Sequence, residues 1–261
     1  MNCLIETALL THGLRSITNE ELAQSWHCPD AILAWVDRGK LKLGPIGEYL
    51  PFRERSEELI RIDCDHLEEA LQTGASGALT ASGTMAVCRR LDIPMAITCG
   101  MGGIGDLRGE ELCPDLPALM NIPVALFSTS PKDMLDRPAT LDWLRRHGVH
   151  TAGEPCTGYL FCGEPVALEL PLSSCNNEAA VRRLTADGGL LILNPIPEKE
   201  RVQDRSILVD AIKAGKQAEA EGRYYHPAAN GEIDRRTDGY SSRIQLESIQ
   251  QNYLLAKSIM D

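Results

Sequence analysis

Val124-Ala125-Leu126-Phe127-Ser128-Thr129-Ser130-Pro131-Lys132-Asp133-Met134-Leu135 reads as a strand handing over to a helix. The apolar run at 124–127 is short and uncharged, as suits a buried strand. Ser130 has the side chain of a helix N-cap and Pro131 suits the first helical position. A helix is therefore expected over 131–147, with Pro138 a point at which it breaks in two. Lys132 would then stand in the first turn, where the positive end of the helix dipole disfavours an ammonium group. A neutral amine at the carboxyl end of a sheet strand is a Schiff-base nucleophile in a place where α/β sheets bind ligands. The competing reading is a surface lysine paired with Asp133 or Asp136, the usual fate of a lysine.

Working outward, the same alternation recurs. Apolar runs at 3–10, 31–36, 41–43, 96–99 and 190–193 suit strands, the second and third joined by the turn Asp37-Arg38-Gly39. Helices are expected over 19–27, 65–72, 79–91, 114–120, 177–186, 206–221 and 243–260. This alternation specifies an α/β fold with a mostly parallel central sheet flanked by helices. At 261 residues the default is one α/β domain. Residues 153–174 are rich in Gly and Pro and irregular, and are assigned to a lid or small subdomain.

Composition narrows the partners. The net charge is −11 and no run of Lys or Arg appears, which argues against a nucleic-acid polymer and leaves a small nucleotide open. No apolar stretch approaches the roughly 18–20 residues needed to span a membrane. Met1-Asn2-Cys3-Leu4-Ile5-Glu6 lacks the basic region and cleavage site of a signal peptide. The nine cysteines include no C-x-x-C pair, and several lie in apolar runs. They suit the reduced thiols of a cytoplasmic protein better than disulfides or a zinc site.

Three further features carry chemistry. Gly100-Met101-Gly102-Gly103-Ile104-Gly105, with Arg108-Gly109 just after, is either an anion- or sugar-cradling loop or a tight connection, and its spacing is a poor match to a dinucleotide fingerprint. Glu6 interrupts the run 3–10. It is either a buried acid with a raised pKa, as a general acid requires, or a strand-end residue in water. Asp115 is a helix cap or a metal ligand.

In this order the segments resemble the pseudouridine-5'-phosphate glycosidase family. Gly188-Gly189-Leu190-Leu191-Ile192-Leu193-Asn194-Pro195-Ile196-Pro197-Glu198 resembles the family's glycine pair, aliphatic run and N-P-I-P-E. Glu6-Thr7 through His12-Gly13 resembles E-S-T-x-x-x-H-G, and 77–85 resembles G-A-T-T-V-A-x-T-M. Residues 98–109 resemble T-G-G-I-G-G-V-H-R-G, Asp115-Leu116 the end of D-I-S-A-D-L, and 124–136 V-x-V-V-C-A-G-A-K-S-I-L-D.

The resemblance implies a trimeric α/β C-glycosidase that reversibly makes uracil and ribose 5-phosphate from a small-molecule C-nucleoside phosphate. A carbon–carbon glycosidic bond has no leaving heteroatom to protonate, so the usual two-carboxylate route fails. By resemblance Lys132 forms an imine with C1 of an opened ribose, Glu6 moves protons at the base, and Asp115 helps hold a divalent, manganese-like ion. Substrate-binding positions are carried over to Thr98, Gly102, Gly103 and Arg108 in the glycine loop, and to Ser130 and Asn194. The remainder fall where the chain departs from the family. Arg61-Ile62-Asp63-Cys64-Asp65-His66 stands in place of K-V-S-R-R-D, Leu107 in place of the His before Arg-Gly, and Arg243-Ile244-Gln245-Leu246 in place of N-I-A-L. Arg61, Asp63, Asp65, Arg243 and Gln245 are thus candidate substrate contacts, and the two acids predict a weaker role for the 5'-phosphate. Asp63 and Asp65 alternatively start the helix before Leu67. Two other functions fit the residues: a Schiff-base lyase or aldolase on a small sugar aldehyde, and a non-catalytic sugar- or nucleotide-binding relative.

Overall fold

The computed structural model describes residues 2–105, 113–223 and 225–260. Arg108 lies outside the described residues. The strands are β1 Cys3–Ile5, β2 Leu33–Asp37, β3 Lys40–Gly44, β4 Ile60–Ile62, β5 Gly77–Leu79, β6 Met95–Ile97, β7 Gly100–Met101, β8 Ala125–Ser128, β9 Ser130–Pro131, β10 Val149–Gly153 and β11 Gly189–Leu193. The α-helices are α1 Asn19–Ser25, α2 Ile46–Arg53, α3 Leu67–Thr73, α4 Ala81–Arg90, α5 Asp115–Asn121, α6 Arg137–Arg146, α7 Glu178–Asp187, α8 Ser206–Ala220, α9 Tyr225–Arg236 and α10 Tyr240–Met260. A π-helical turn, Leu9–Gly13, follows β1.

The main sheet runs β10-β11-β8-β6-β1-β2-β5-β4, with β3 paired to β2. The stretch from β10 to β2 is parallel throughout. Strand β2 is antiparallel to β3 and β5, and β4 is parallel to β5. Alternate strand residues go to opposite faces, as the two-residue period requires. Cys3, Ile5, Met95, Ile97, Leu190 and Ile192 join one apolar cluster, packed under Ile244, Ile249 and Tyr253 of α10. Leu4, Ala96, Leu191 and Leu193 join the other, under Met85 and Val87 of α4 and Leu116 and Leu119 of α5. Both faces are covered by helices, which is the expected mostly parallel α/β architecture.

Three local expectations are corrected. The strand expected over 3–10 ends at Ile5. There the Thr7 hydroxyl donates to the Ala34 carbonyl (2.7 Å) and accepts from the Leu79 N–H (3.0 Å), replacing ladder bonds and turning the chain into the π-helical turn. The helix expected from 131 begins instead at Arg137, with Asp136 as its cap accepting from the Ala139 N–H at 2.9 Å and Pro138 in its first turn. Ser130 is therefore no N-cap. A residue before proline is pushed to extended backbone, and Ser130–Pro131 pairs with Gly100–Met101. Strands β4, β5, β7, β9 and β10 and helices α2 and α9 were not anticipated. Pro51, Pro227 and Gly231 make α2 and α9 poor helices by propensity. Within 153–174, Tyr159, Leu160 and Phe161 are buried in the core, and their backbone N–H groups donate to the Asp133 carboxylate at 2.9, 2.6 and 3.0 Å.

Candidate active site

Adjacent parallel strands end side by side and deliver polar residues to one edge. Glu6 follows β1, Thr98 follows β6, Thr129 follows β8 and Asn194 follows β11. This carboxyl edge is where open α/β sheets place ligands. Beyond β6 and β8 the chain continues as the short pair β7–β9, held by Thr129 N–H to Cys99 O (2.8 Å) and Lys132 N–H to Met101 O (3.2 Å). That pair carries Gly102 and Lys132 past the sheet into a cleft of about 1430 Å³.

Lys132 therefore sits in extended chain, and the helix-dipole explanation for its chemistry is replaced by another. Its pKa is lowered chiefly by burial and next by the Arg61 guanidinium; Cys113, Asp115 and Glu6 oppose this in part. A lowered pKa supplies neutral amine, the nucleophilic form.

Glu6 is buried and accepts from the Thr98 hydroxyl at 2.8 Å. Burial pushes its pKa up to about 7; the Thr98 bond, Lys132 and Arg61 pull it down, and Asp115 pushes it up. Glu6, Lys132, Asp115 and Arg61 thus form one electrostatic cluster. An acid poised near neutrality beside an amine of lowered pKa is an arrangement that can move a proton. The Cys113 thiol, on the cleft wall, is pushed up to about 12 by burial and so stays protonated.

Asp115 opens α5 and lines the cleft. It is not the helix's side-chain cap: Oδ1 accepts from the Ser82 N–H at the start of α4 (3.1 Å), and Oδ2 from the Gly102 N–H (2.8 Å). A Cβ at Gly102 would lie 2.0 Å from the Cys113 sulfur, so any side chain there would force Cys113 to move. Each carboxylate oxygen keeps lone-pair capacity after one N–H bond. Among the described residues no group of three or more His, Cys, Asp or Glu side chains gathers. A hard divalent cation at Asp115 would have to draw its other ligands from water and substrate oxygens.

The family model described as "Indigoidine synthase A like protein" matches residues 4–260. The chain belongs to the indigoidine synthase A-like family. A pseudouridine-5'-phosphate glycosidase of Methylobacterium nodulans is 28% identical over 276 residues, covering 98% of this chain and 81% of the relative. Another of that name, from Petrotoga mobilis, is 27% identical and covers 98% and 89%. Two solved structures share the fold at a TM-score of 0.75, each covering 98% of this chain and 91% of the other. They are the prealnumycin C-glycosynthase AlnA in complex with ribulose 5-phosphate, at 22% identity, and an indigoidine synthase A-like protein of Thermotoga maritima, at 20%.

In this indigoidine synthase A-like chain, only some of the expected substrate contacts line the cleft. Arg61, Asp63 and Gly102 do, with Asp115 and Lys132. Asp63 is turned to the start of α3: its Oδ1 accepts from the backbone N–H groups of Asp65 and His66 (both 3.1 Å) and pairs with His66 Nδ1 at 2.7 Å. Asp65 lies in a separate depression beside Arg89 and Asn121. Gly103 packs on Thr140, 2.5 Å from where its Cβ would be. Ser130 is buried, with its hydroxyl on the Pro131 carbonyl at 2.8 Å. Arg243 is exposed, and its charge acts on Glu21. Gln245 is buried; its Oε1 accepts from Tyr159 OH at 2.9 Å and its Nε2 donates to Ser241 O at 3.0 Å. Asn194 donates to Asn252 Oδ1 at 3.0 Å.

Two residues escaped the sequence reading. Asn252, fully buried on α10, donates to Thr98 O (2.9 Å) and Thr129 Oγ1 (3.0 Å), and so holds the residue that holds Glu6. Its signal was available: Ser241, Gln245, Ser248 and Asn252 recur at helical spacing as a polar stripe beside apolar positions. His226, on α9, lines the cleft; it lies in a helix that the sequence barely announces.

Proposed function

We propose that this protein cleaves, and in reverse forms, the carbon–carbon glycosidic bond of a C-nucleotide of the pseudouridine 5'-phosphate type. The observation that carries the reading is Lys132, its ammonium form disfavoured, in the same cluster as Glu6, whose pKa stands near 7. The names of the curated relatives and the C-glycosynthase fold neighbour support the same reaction class.

The neutral Lys132 amine adds to C1 as the C1–ring-oxygen bond breaks and the ring oxygen takes up a proton. Glu6 then protonates the base carbon that bears the glycosidic bond. The C–C bond breaks with its electrons passing to the base, while the Lys132 nitrogen lone pair forms the C1=N imine. Water releases the imine as ribose 5-phosphate and frees the lysine. Gly102, pinned to Asp115, keeps the cleft floor clear beside Lys132. A divalent cation held by Asp115 would stabilise developing negative charge on substrate oxygen.

Incubation with ribose 5-phosphate and borohydride should fix a reduced adduct on Lys132, located by peptide mass. An adduct on another lysine, or unchanged turnover of pseudouridine 5'-phosphate in Lys132→Ala, sinks the assignment. Adduct formation without any C-nucleotide turnover would instead favour a lyase or aldolase on a small sugar aldehyde.

A further inference from the structure

Helix α9 and the π-helical turn Leu9–Gly13 pack together, and each brings one histidine to the cleft wall: His226 and His12. Neither has an assigned task. In both rings one nitrogen is buried with no hydrogen-bond partner among the described residues, Nδ1 of His226 and Nε2 of His12. Buried polar atoms are ordinarily paired, so such atoms at a cleft wall ask for a ligand group.

Their charge state is settled by position. Burial first, then Lys132 and Arg61, hold His226 down to about 3. Burial, then Arg61, hold His12 down to about 4, with the Ile60 backbone opposing and Arg15 adding. Both rings are neutral at physiological pH. A neutral imidazole has one N–H and one lone pair. A hydroxyl both donates and accepts, so it completes either tautomer. A phosphate dianion only accepts and an ammonium only donates.

Their place along the cleft is also informative. His226 feels both Lys132 and Arg61, and His12 feels Arg61. If C1 of the sugar is on Lys132 and its phosphate is near Arg61, the carbons between them carry hydroxyls and pass the two imidazoles. We propose that His226 and His12 form a subsite that recognises the secondary hydroxyls of the pentose, separate from the phosphate contact. This rests on the imine reading above, which fixes the sugar's direction.

Isothermal titration at pH 7.5 with D-ribose 5-phosphate and, separately, inorganic phosphate tests it. His226→Leu and His12→Leu should each weaken ribose 5-phosphate binding roughly tenfold, the loss of one hydrogen bond. Each should leave inorganic phosphate binding within about twofold. His226→Asn, whose amide overlays Nδ1, should recover most of the affinity, and His226→Gln should not. If His226→Leu fails to fold, the Asn and Gln variants decide alone. Unchanged affinity for ribose 5-phosphate overturns the subsite, and so does equal loss for both ligands, which would make it an anion site. Borohydride trapping on the wild type separates the two claims: no adduct on Lys132 defeats the imine reading, while the titration still decides the histidines.

Discussion

Glu6 is surrounded by core on most sides and meets its hydroxyl partner, Thr98, across two neighbouring strands. Removing a carboxylate from water penalises its charged form. Its folded-state pKa of about 7 exceeds the ordinary glutamate value of 4.5. The sign follows from linkage: the folded state binds the extra proton between those two values, so stability is full below about 4.5 and declines until the pH passes about 7. The gap corresponds to about 3 kcal/mol, as an order of magnitude. Glu6→Gln has no such proton to lose. Its thermal midpoint should rise relative to wild type as the pH goes from about 4.5 to about 8, while its turnover collapses. In the wild type, kcat/KM should fall above pH 7 with the slope of a single proton. A constant difference in midpoint across that range would show that Glu6 ionises freely. An acid in an apolar run was visible in the sequence; Thr98 as its partner was not, because the two are joined only by strand pairing.

At the scale of elements, Asp115 joins three pieces of chain: the start of α5, the start of α4 through Ser82, and the glycine loop through Gly102. Its structural and ionic roles are therefore separable by experiment. If a divalent cation serves the reaction, exhaustive treatment with EDTA should abolish turnover and Mn²⁺ or Mg²⁺ should restore it, with the fold intact by circular dichroism. Asp115→Asn keeps oxygen only on one side and should additionally lower the thermal midpoint, since one backbone N–H loses its charged acceptor, at a cost of about 1–3 kcal/mol. Full activity after chelation would leave Asp115 as a structural tie alone. The error over Lys132 belongs to this scale. Ser130-Pro131 carries both a cap-like side chain and the constraint that a proline places on the residue before it. Here the second won, because Gly100–Met101 offered a strand partner.

Over the whole molecule, the alternating apolar runs were enough to read the parallel sheet and its two layers of helices. Helices α2 and α9 were hidden by their own prolines and form because tertiary packing outweighs propensity. The residues that the structure gathers at the candidate site were legible where motifs carry them, at Glu6, Gly102, Asp115 and Lys132, and illegible where folding brings in distant side chains such as Asn252 and His226. The acidic segment shows the consequence for specificity. Asp63 and Asp65 were expected to repel a 5'-phosphate, but Asp63 is paired with His66 and caps the approach to α3, and Asp65 faces away from the cleft. Arg15, Arg61 and Arg223 remain on the cleft wall with Lys132. A chain of net charge −11 repels a dianion at long range, so any preference for phosphate must arise from these short-range contacts. A guanidinium binds phosphate in bidentate fashion, and such charge-assisted bonds are the stronger kind. Pseudouridine 5'-monophosphate should therefore exceed the free nucleoside in kcat/KM by roughly a hundredfold, or about 2.7 kcal/mol. The advantage should shrink as salt rises, since the cleft is open to solvent ions, and Arg61→Ala should erase most of it with little effect on the nucleoside. Equal kcat/KM for the two substrates would mean that the charge of Asp63 still governs this end of the cleft. A preference that survives in Arg61→Ala would move the phosphate contact to Arg15 or Arg223.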